Sequence, residues 1–305
     1  SGHGHRHRAP ARARAPAPGT GTGTGTGTGA SNPGEASSPQ IAWATHTAGR
    51  FEPCGCSAGM HGGLLRRLTL LRRGDVARTL SLEGGGWTAG AADHQRLHSD
   101  AYLAGLAAAK VAAVGLGRAE VALGHTTLAA HVAHAPLPLV CANLRDKAGA
   151  LICAPSVRCT IELPANASGS STVFTVTSIV PADAVGEGLV VGDAVEALVR
   201  LADTAAGTRL VVLADLDEAG LSELARAVPA IGVIVGGDVS SPSQTAVAVG
   251  QTRIIHQANH GKALGWWTLG DDECRYQLLT EDIPEDAAMR QRVITLQRMI
   301  ASATL

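Results

Sequence analysis

Two cysteines separated by one residue are the most reactive feature of the sequence. Cys54 and Cys56 flank a glycine, and His61 follows in the same glycine-rich stretch. Two thiolates and an imidazole at this spacing can bind Zn²⁺ or take part in disulfide exchange. A Zn²⁺ site needs four ligands, so Cys141 or Cys274 would have to contribute. Alternatively, each cysteine of the pair forms a disulfide with a different partner and fixes the loop.

A second pair of cysteines flanks a turn signal. Cys153 and Cys159 lie on either side of Pro155-Ser156. We expect a short hairpin closed by a Cys153–Cys159 disulfide, which would add modest stability because the closed loop is short. Neither thiol is expected to be catalytic.

Glycines before a predicted helix indicate a possible anion site. Gly62 and Gly63 precede Leu64–Arg73 and would leave amide donors at the helix N-terminus. With Arg66 one turn into the helix, these amides would suit a phosphate or a carboxylate. Tight packing of the helix on a sheet explains the same glycines equally well.

Short apolar runs alternate with amphipathic segments from Ile41 onward, which predicts strands alternating with helices. The order is βαβαβαβ followed by a strand-rich part, so we expect a mixed sheet or two stacked sheets covered by helices, with a site at the carboxyl ends of the strands. The predicted strands include Ile41–Thr45, Val76–Leu82, Leu137–Cys141, Thr172–Ile179, Arg209–Ala214 and Ile231–Val235, and the predicted helices include Leu64–Arg73, Asp93–Lys110, Glu218–Ala227 and Glu285–Ile300.

Composition limits the class of protein. The 305 residues carry a net charge of −1, which gives no field to hold nucleic acid or an anionic membrane. No stretch approaches the roughly 18 apolar residues of a membrane span.

We expect a disordered low-complexity tail over residues 1–40, one domain over 41–280 and a C-terminal helix over 281–305. The chain starts at Ser1 without Met, so we expect that a leader or lipid anchor preceded it and that the tail is a tether.

The ordered motifs resemble a known family. They are THTAGRFEPCGC, GGLLRRLTLLR, LSLEGGGWTAG, LPLVCANL, LVVLADLDEAGLSELARAVPAIGVIVGGDVS and TRIIHQANHGKALGWWTL. Together they are similar to the N-terminal metallophosphoesterase domain of the 5′-nucleotidase family over about residues 41–270, and to its envelope subset with a Pro-Cys-Gly-Cys loop. The resemblance implies an α/β fold, a four-layer αββα sandwich of two mixed sheets. In active members two divalent metals are held by Asp, His and Asn at the strand ends.

Most metal-binding positions of that family are replaced here. In the Asp-x-His of the first strand, His46 stands in place of the Asp and Ala48 in place of the His. The second strand has no carboxylate after Glu83, and the Gly-Asn-His-Glu turn aligns with a segment that keeps only Glu120. Asp215 replaces a later histidine, and the closing Gly-His-x-His becomes Gly237-Asp238-Val239-Ser240.

Five candidate ligands remain: His46, Glu83, Glu120, Asp215 and Asp238. They could form one oxygen-rich site for Ca²⁺, Mg²⁺ or Mn²⁺, and the cysteine pair could hold Zn²⁺. The alternative is that the aspartates are loop or helix-capping residues, and we expect no resident cofactor or at most one divalent metal.

A late turn adds possible ligand contacts. His256, Asn259 and His260 lie at a turn that the resemblance places near the rim of the active site.

We therefore expect a secreted, periplasmic or outer-envelope protein whose phosphoesterase domain is catalytically degenerate and whose role is binding or assembly. The envelope subset often accompanies multihaem cytochromes or other redox modules, which suggests a redox protein partner. The chain has no CxxCH haem motif, so a haem would belong to that partner. The alternatives are an active metal-dependent phosphoesterase with unusual ligands, or a metal or thiol protein that uses the cysteine loop.

Overall fold

The structure, a computed structural model, describes residues 38–55, 60–74, 76–162, 171–237, 244–256 and 260–303. This part of the chain contains sixteen strands and seven α-helices. The strands are β1 Gln40–Ala44, β2 Cys54–Gly55, β3 Met60–His61, β4 Thr79–Glu83, β5 Ala113–Gly115, β6 Leu139–Val140, β7 Leu144–Asp146, β8 Val157–Ile161, β9 Thr172–Ile179, β10 Leu189–Val191, β11 Arg209–Ala214, β12 Ile231–Gly236, β13 Val247–Val249, β14 Thr252–His256, β15 Ala263–Thr268 and β16 Cys274–Leu278. The helices are α1 Leu64–Arg73, α2 Asp93–Ala108, α3 Arg118–Val121, α4 Gly124–His134, α5 Ala194–Thr204, α6 Glu218–Ala227 and α7 Ala287–Ala303.

Two six-stranded mixed sheets form the centre of the fold. The first sheet has the order β16-β15-β1-β4-β5-β6, in which β1, β4, β5 and β6 are parallel and β15 is antiparallel to both of its neighbours, β1 and β16. The second has the order β13-β14-β12-β11-β9-β8, with antiparallel strands at both edges.

Successive side chains along a strand point to opposite faces of its sheet, and together they form three apolar cores. In β1, Ile41 and Trp43 enter a central core between the sheets, and Ala42 enters an outer core on the first sheet. The outer core is completed by residues of α1, α2, α4 and α7, and the outer face of the second sheet packs against α5 and α6. The predicted four-layer αββα sandwich of two mixed sheets is confirmed.

Several predicted elements have the predicted bounds: Leu64–Arg73, Thr172–Ile179, Arg209–Ala214 and Glu218–Ala227. The strand predicted over Val76–Leu82 is wrong in its first half, because Val76–Arg78 is a 3-10 turn and β4 begins at Thr79. The predicted tail over residues 1–40 lies almost wholly outside the described residues. None of the described helices is both long enough and apolar enough for a membrane span.

Candidate functional site

The parallel strands of both sheets end at one edge of the sandwich, where the loops that follow them meet. The first sheet contributes the loops after Ala44, Glu83 and Gly115, and the second contributes the residues after Ala214 and Gly236. Among the described candidate ligands, Glu83 ends β4, His46 and Asp215 follow β1 and β11, and Glu120 lies in α3 after β5.

His46 and Asp215 join the two sheets at this edge. Nε2 of His46 lies 2.9 Å from Oδ1 of Asp215, and the amide of Arg118, the first residue of α3, donates to Oδ2 at 2.7 Å. Burial by itself would raise the pKa of Asp215, but the hydrogen bonds from His46 and the Arg118 amide outweigh it and hold that pKa below its usual value. Both carboxylate oxygens of Asp215 are therefore already engaged by protein groups.

Glu120 is fully buried and is surrounded by backbone amides. Its Oε2 accepts hydrogen bonds from the amides of Gly86 at 2.8 Å and Gly117 at 2.9 Å. Its Oε1 accepts from Trp87 at 2.9 Å and Thr88 at 3.0 Å. Burial raises the pKa of Glu120, while these amide donors oppose that rise. The carboxylate thus fixes the loop after β4 to the start of α3.

Glu83 forms a buried ion pair with Arg67. Arg67 of α1, 2% exposed, donates to Oε2 of Glu83 and, at 3.3 Å, to the carbonyl of Leu82. The hydroxyl of Thr47 donates to Oε1 at 2.6 Å. Burial and the negative charge of Glu83 together raise the pKa of the adjacent Tyr102. A signal existed in the sequence, because Arg67 lies on the same helical stripe as the buried Leu64, Leu68 and Leu71.

Glycine backbone fills the space between these groups. A Cβ atom at Gly85 would lie 2.5 Å from the Cα of Gly117, and one at Gly117 would lie 2.7 Å from Oδ2 of Asp215. A Cβ atom at Gly237 would lie 2.8 Å from the ring of His46. The two loops and the imidazole are thus in direct contact.

This donor set does not fit the two metal ions that the resemblance implies. A dinuclear hydrolytic centre requires several carboxylates and imidazoles directed at shared cations and a bridging water. Here the oxygens of Glu83, Glu120 and Asp215 accept hydrogen bonds from the protein, and glycine backbone occupies the space between them. Within the described ranges, no group of three or more His, Cys, Asp or Glu residues is arranged to hold a metal ion. Asp238 lies outside the described residues.

The cysteine loop forms a small hairpin. Strands β2 and β3 pair antiparallel, with Cys54 opposite His61. The Nδ1 atom of His61 is buried and has no hydrogen-bond partner among the described residues. Cys56 and the side chain of Cys54 lie outside what the structure describes.

At the start of α1, where the sequence predicts an anion site, several donors have partners within the protein. The amide of Gly62 donates to Leu279, and those of Leu64 and Leu65 donate to Arg50 and Phe51. The guanidinium of Arg66 donates to the carbonyls of Met60 and Leu279 at 2.6 and 3.0 Å.

Gly62, Gly63 and His260 do line one cavity, as expected for neighbouring parts of a rim. Its volume is about 10 Å³, enough for roughly one water molecule. The ring of His260 lies 5.9 Å from that of His46, and His256 is buried at the end of β14, where its carbonyl accepts a hydrogen bond from Tyr276 at 2.8 Å. Asn259 lies outside the described residues.

The predicted Cys153–Cys159 disulfide is absent, since both cysteines are free. The two side chains belong to different layers: Cys153 packs against the outer core of the first sheet, and Cys159, on β8, packs against the central core. The turn signal between the two cysteines indicates that they are close in sequence, but it does not indicate which layer each side chain enters.

The sequence has no match among family models, and no curated protein matches it. Among solved structures, a 5′-nucleotidase precursor from Thermus thermophilus is 20% identical, with a TM-score of 0.70, and the alignment covers 87% of this chain and 59% of that chain. The calcineurin-like phosphoesterase YfkN from Bacillus subtilis is 16% identical, with a TM-score of 0.71 and coverage of 88% and 98%.

A third solved structure, the sulfate thiohydrolase SoxB from Thermus thermophilus, is 14% identical, with a TM-score of 0.70 and coverage of 85% and 60%. This chain thus spans only about three fifths of the nucleotidase precursor and of SoxB. The two sheets, their flanking helices and these similarities together show that the chain has the fold of the calcineurin-like phosphoesterases and 5′-nucleotidases.

Proposed function

We propose that this protein has a phosphoesterase fold without phosphoesterase activity, and that it acts in the cell envelope by binding another protein. The observation that carries the proposal is the engagement of Glu83, Glu120 and Asp215 by protein donors. Metal-dependent hydrolysis needs carboxylates that are available to cations, together with a metal-bound water of lowered pKa. Here the same carboxylates hold loops together, so they stabilise the fold.

Metal content and hydrolysis test the loss of activity. The full chain is incubated with Mn²⁺ or Zn²⁺, dialysed, and analysed for metal and for hydrolysis of p-nitrophenyl phosphate, beside an Asp215→Asn variant. We expect less than one equivalent of metal and background hydrolysis in both proteins. Two equivalents of metal, with hydrolysis that Asp215→Asn abolishes, would establish the alternative, an active phosphoesterase with unusual ligands.

The envelope location and the binding role rest on the resemblance to the Pro-Cys-Gly-Cys subset. The partner class we propose is a cytochrome or another redox protein. Fractionation of the source cells, with protease added to intact cells, tests the location. A product that is found only in the cytosol and resists the added protease would contradict it.

One observation favours a second candidate function, a metal or thiol site in the cysteine loop. The hairpin register sets Cys54 opposite His61, and directly opposed residues in an antiparallel pair have Cα atoms about 4.5–5.5 Å apart. The side chains of residues whose Cα atoms are this close can interact. An imidazole beside a thiol can lower the thiol pKa or bind the same Zn²⁺ ion. One tightly bound Zn²⁺ that is lost in Cys54→Ser, and retained in Cys274→Ser, would establish this function in place of the first.

A further inference from the structure

The small cavity lined by Gly62, Gly63 and His260 lies where four segments of the chain meet. Its walls come from the loop after β1, the hairpin of β2 and β3, the start of α1 and the turn before β15, and Tyr102 of α2 also lines it. Its volume of about 10 Å³ is enough for one water molecule or one small ion. Neither His46 nor Asp215 lines this cavity, so it is separate from the pair that joins the two sheets.

Arg67 brings a buried donor without an acceptor to the cavity. The side chain is 2% exposed and lines the cavity wall. Nη1 donates to Glu83 and Nη2 donates to the carbonyl of Leu82, whereas Nε is buried and has no hydrogen-bond partner among the described residues. A guanidinium has donors only, and a buried donor without an acceptor is unfavourable. Nε therefore needs an acceptor that the described protein groups do not supply.

His61 brings a second nitrogen of this kind from another segment. It lines the same cavity from β3, and its Nδ1 is buried with no partner in the described part of the chain. When the ring proton is on Nδ1, this atom is also a donor. Two unpartnered nitrogens on one small cavity indicate a shared acceptor between the hairpin and α1.

The charges around the cavity favour an anion as that acceptor. Arg50 and Lys262 line it together with Arg67, against a single carboxylate, that of Glu52. The ion-pair partners of Arg67 and Glu52 are one carboxylate and one guanidinium, so they leave the excess of positive charge unchanged. The N-terminus of α1 adds a partial positive charge. A cation would be repelled by these groups.

We propose that the cavity binds one monatomic anion, chloride in ordinary solution, which accepts from Nε of Arg67 and Nδ1 of His61 beside the ammonium of Lys262. The volume is too small for a phosphate. These donors differ from those that the sequence indicated at Gly62 and Arg66, which donate to protein carbonyls. The inference does not depend on the proposed function, because neither a metal nor a protein partner enters it.

The ion would connect segments that are distant in sequence. Arg67 lies in α1, His61 in the hairpin of the cysteine loop, and Lys262 in the turn before β15. Since the three groups come together only in the folded chain, an anion that binds them stabilises the folded state by mass action. Chloride should therefore raise the melting temperature.

Thermal unfolding tests this consequence. The full chain is held in sodium gluconate with EDTA at pH 7, and chloride replaces gluconate at constant ionic strength. Gluconate is too large for the cavity, and EDTA keeps Zn²⁺ from His61. We expect chloride at about ten times its dissociation constant to raise the melting temperature by about 3 °C.

Two variants that lose the same charge separate the cavity from a general effect of salt. Lys262→Gln should lose most of the rise. Arg73→Gln, at the exposed far end of α1, should keep it. Equal rises in the wild type and both variants would show a general salt effect, and no rise in the wild type would show that the cavity does not bind chloride. Either result would overturn the proposal.

Bromide gives a direct view of the site. Crystals of the full chain are soaked in sodium bromide and measured at the bromine absorption edge. We expect an anomalous difference peak in the cavity, within hydrogen-bonding distance of Nε of Arg67. A water molecule in the cavity without an anomalous peak would refute the proposal, and this outcome does not depend on the folding of any variant.

Discussion

Nε2 of His46 lies 2.9 Å from Oδ1 of Asp215, at the edge where the parallel strands of both sheets end. His46 follows β1 of the first sheet, and Asp215 follows β11 of the second. The pair therefore connects the two sheets through protein groups alone, and its consequences can be measured.

Asp215→Asn should destabilise the protein by about 2 kcal/mol at pH 7, because it removes the charged acceptor for His46 and the Arg118 amide. The pKa of Asp215 is lowered on folding, so its contribution to stability is present above the unfolded pKa of about 3.9 and is lost as pH falls through the folded value. Urea unfolding should show the difference from wild type narrowing below about pH 4. A difference that stays constant down to pH 2 would contradict this account.

Arg67→Met should lower the free energy of unfolding by about 3–5 kcal/mol, since it leaves the carboxylate of Glu83 buried without its partner. The double variant Arg67→Met/Glu83→Gln should recover much of this loss, because both charges are then removed. The matched control is Arg200→Met, which breaks an exposed pair with Glu196 and should change the unfolding free energy by less than about 0.5 kcal/mol. Equal effects of the two single variants would show that burial of the first pair is unimportant.

Glu120→Gln should destabilise the protein by about 3 kcal/mol, because the new NH₂ group faces backbone amides that need an acceptor. Chemical denaturation measures the loss. Glu223→Gln, at an exposed position of α6, is the control and should lie within about 0.5 kcal/mol of wild type. If Glu120→Gln were as stable as the control, the carboxylate would not be what holds the loop after β4.

Gly63→Ala should be more destabilising than Gly149→Ala by about 2 kcal/mol. Both glycines have similar positive φ values, 92° and 89°, so both substitutions incur the same left-handed backbone cost. Only at Gly63 would the new Cβ meet an obstacle, the carbonyl oxygen of Phe51 at 2.6 Å, while nothing lies within 4 Å at Gly149. Thermal or urea unfolding of the two variants checks the difference, and equal losses would refute the close approach of Phe51 to α1.

Cys274 should react slowly with iodoacetamide in the folded protein. Burial raises its pKa to about 11, partly offset by Tyr276, so thiolate forms only at high pH. At pH 8 the reaction should be about 200-fold slower than for the unfolded chain, whose cysteine pKa is about 8.5. Mass spectrometry of timed samples gives the rate, which should rise about tenfold per pH unit up to pH 10. Half-maximal reactivity near pH 8.5 would contradict burial of this thiol.

The sequence by itself determined the layered fold and the location of the candidate site. The run of mostly β-branched residues over Thr172–Ile179 and the amphipathic stripe in Leu64–Arg73 are local properties, so the bounds of both elements could be predicted. The ordered motifs then placed His46, Glu83, Glu120 and Asp215 at strand ends. Local patterns also suggested a Cys153–Cys159 bond, which is absent, and an anion site at Gly62 and Arg66, whose amide and guanidinium donate to protein carbonyls.

Only the tertiary structure decided which groups meet. The contacts of His46 with Asp215 and of Glu83 with Arg67 depend on how two sheets and a helix are packed, and these residues are far apart in sequence or have no shared local pattern. Ion pairs and hydrogen bonds form over a few ångströms, a distance that sequence spacing does not report for residues on different elements. The resemblance implies that ligand positions are replaced, and the folded chain shows which protein groups His46, Glu83, Glu120 and Asp215 engage.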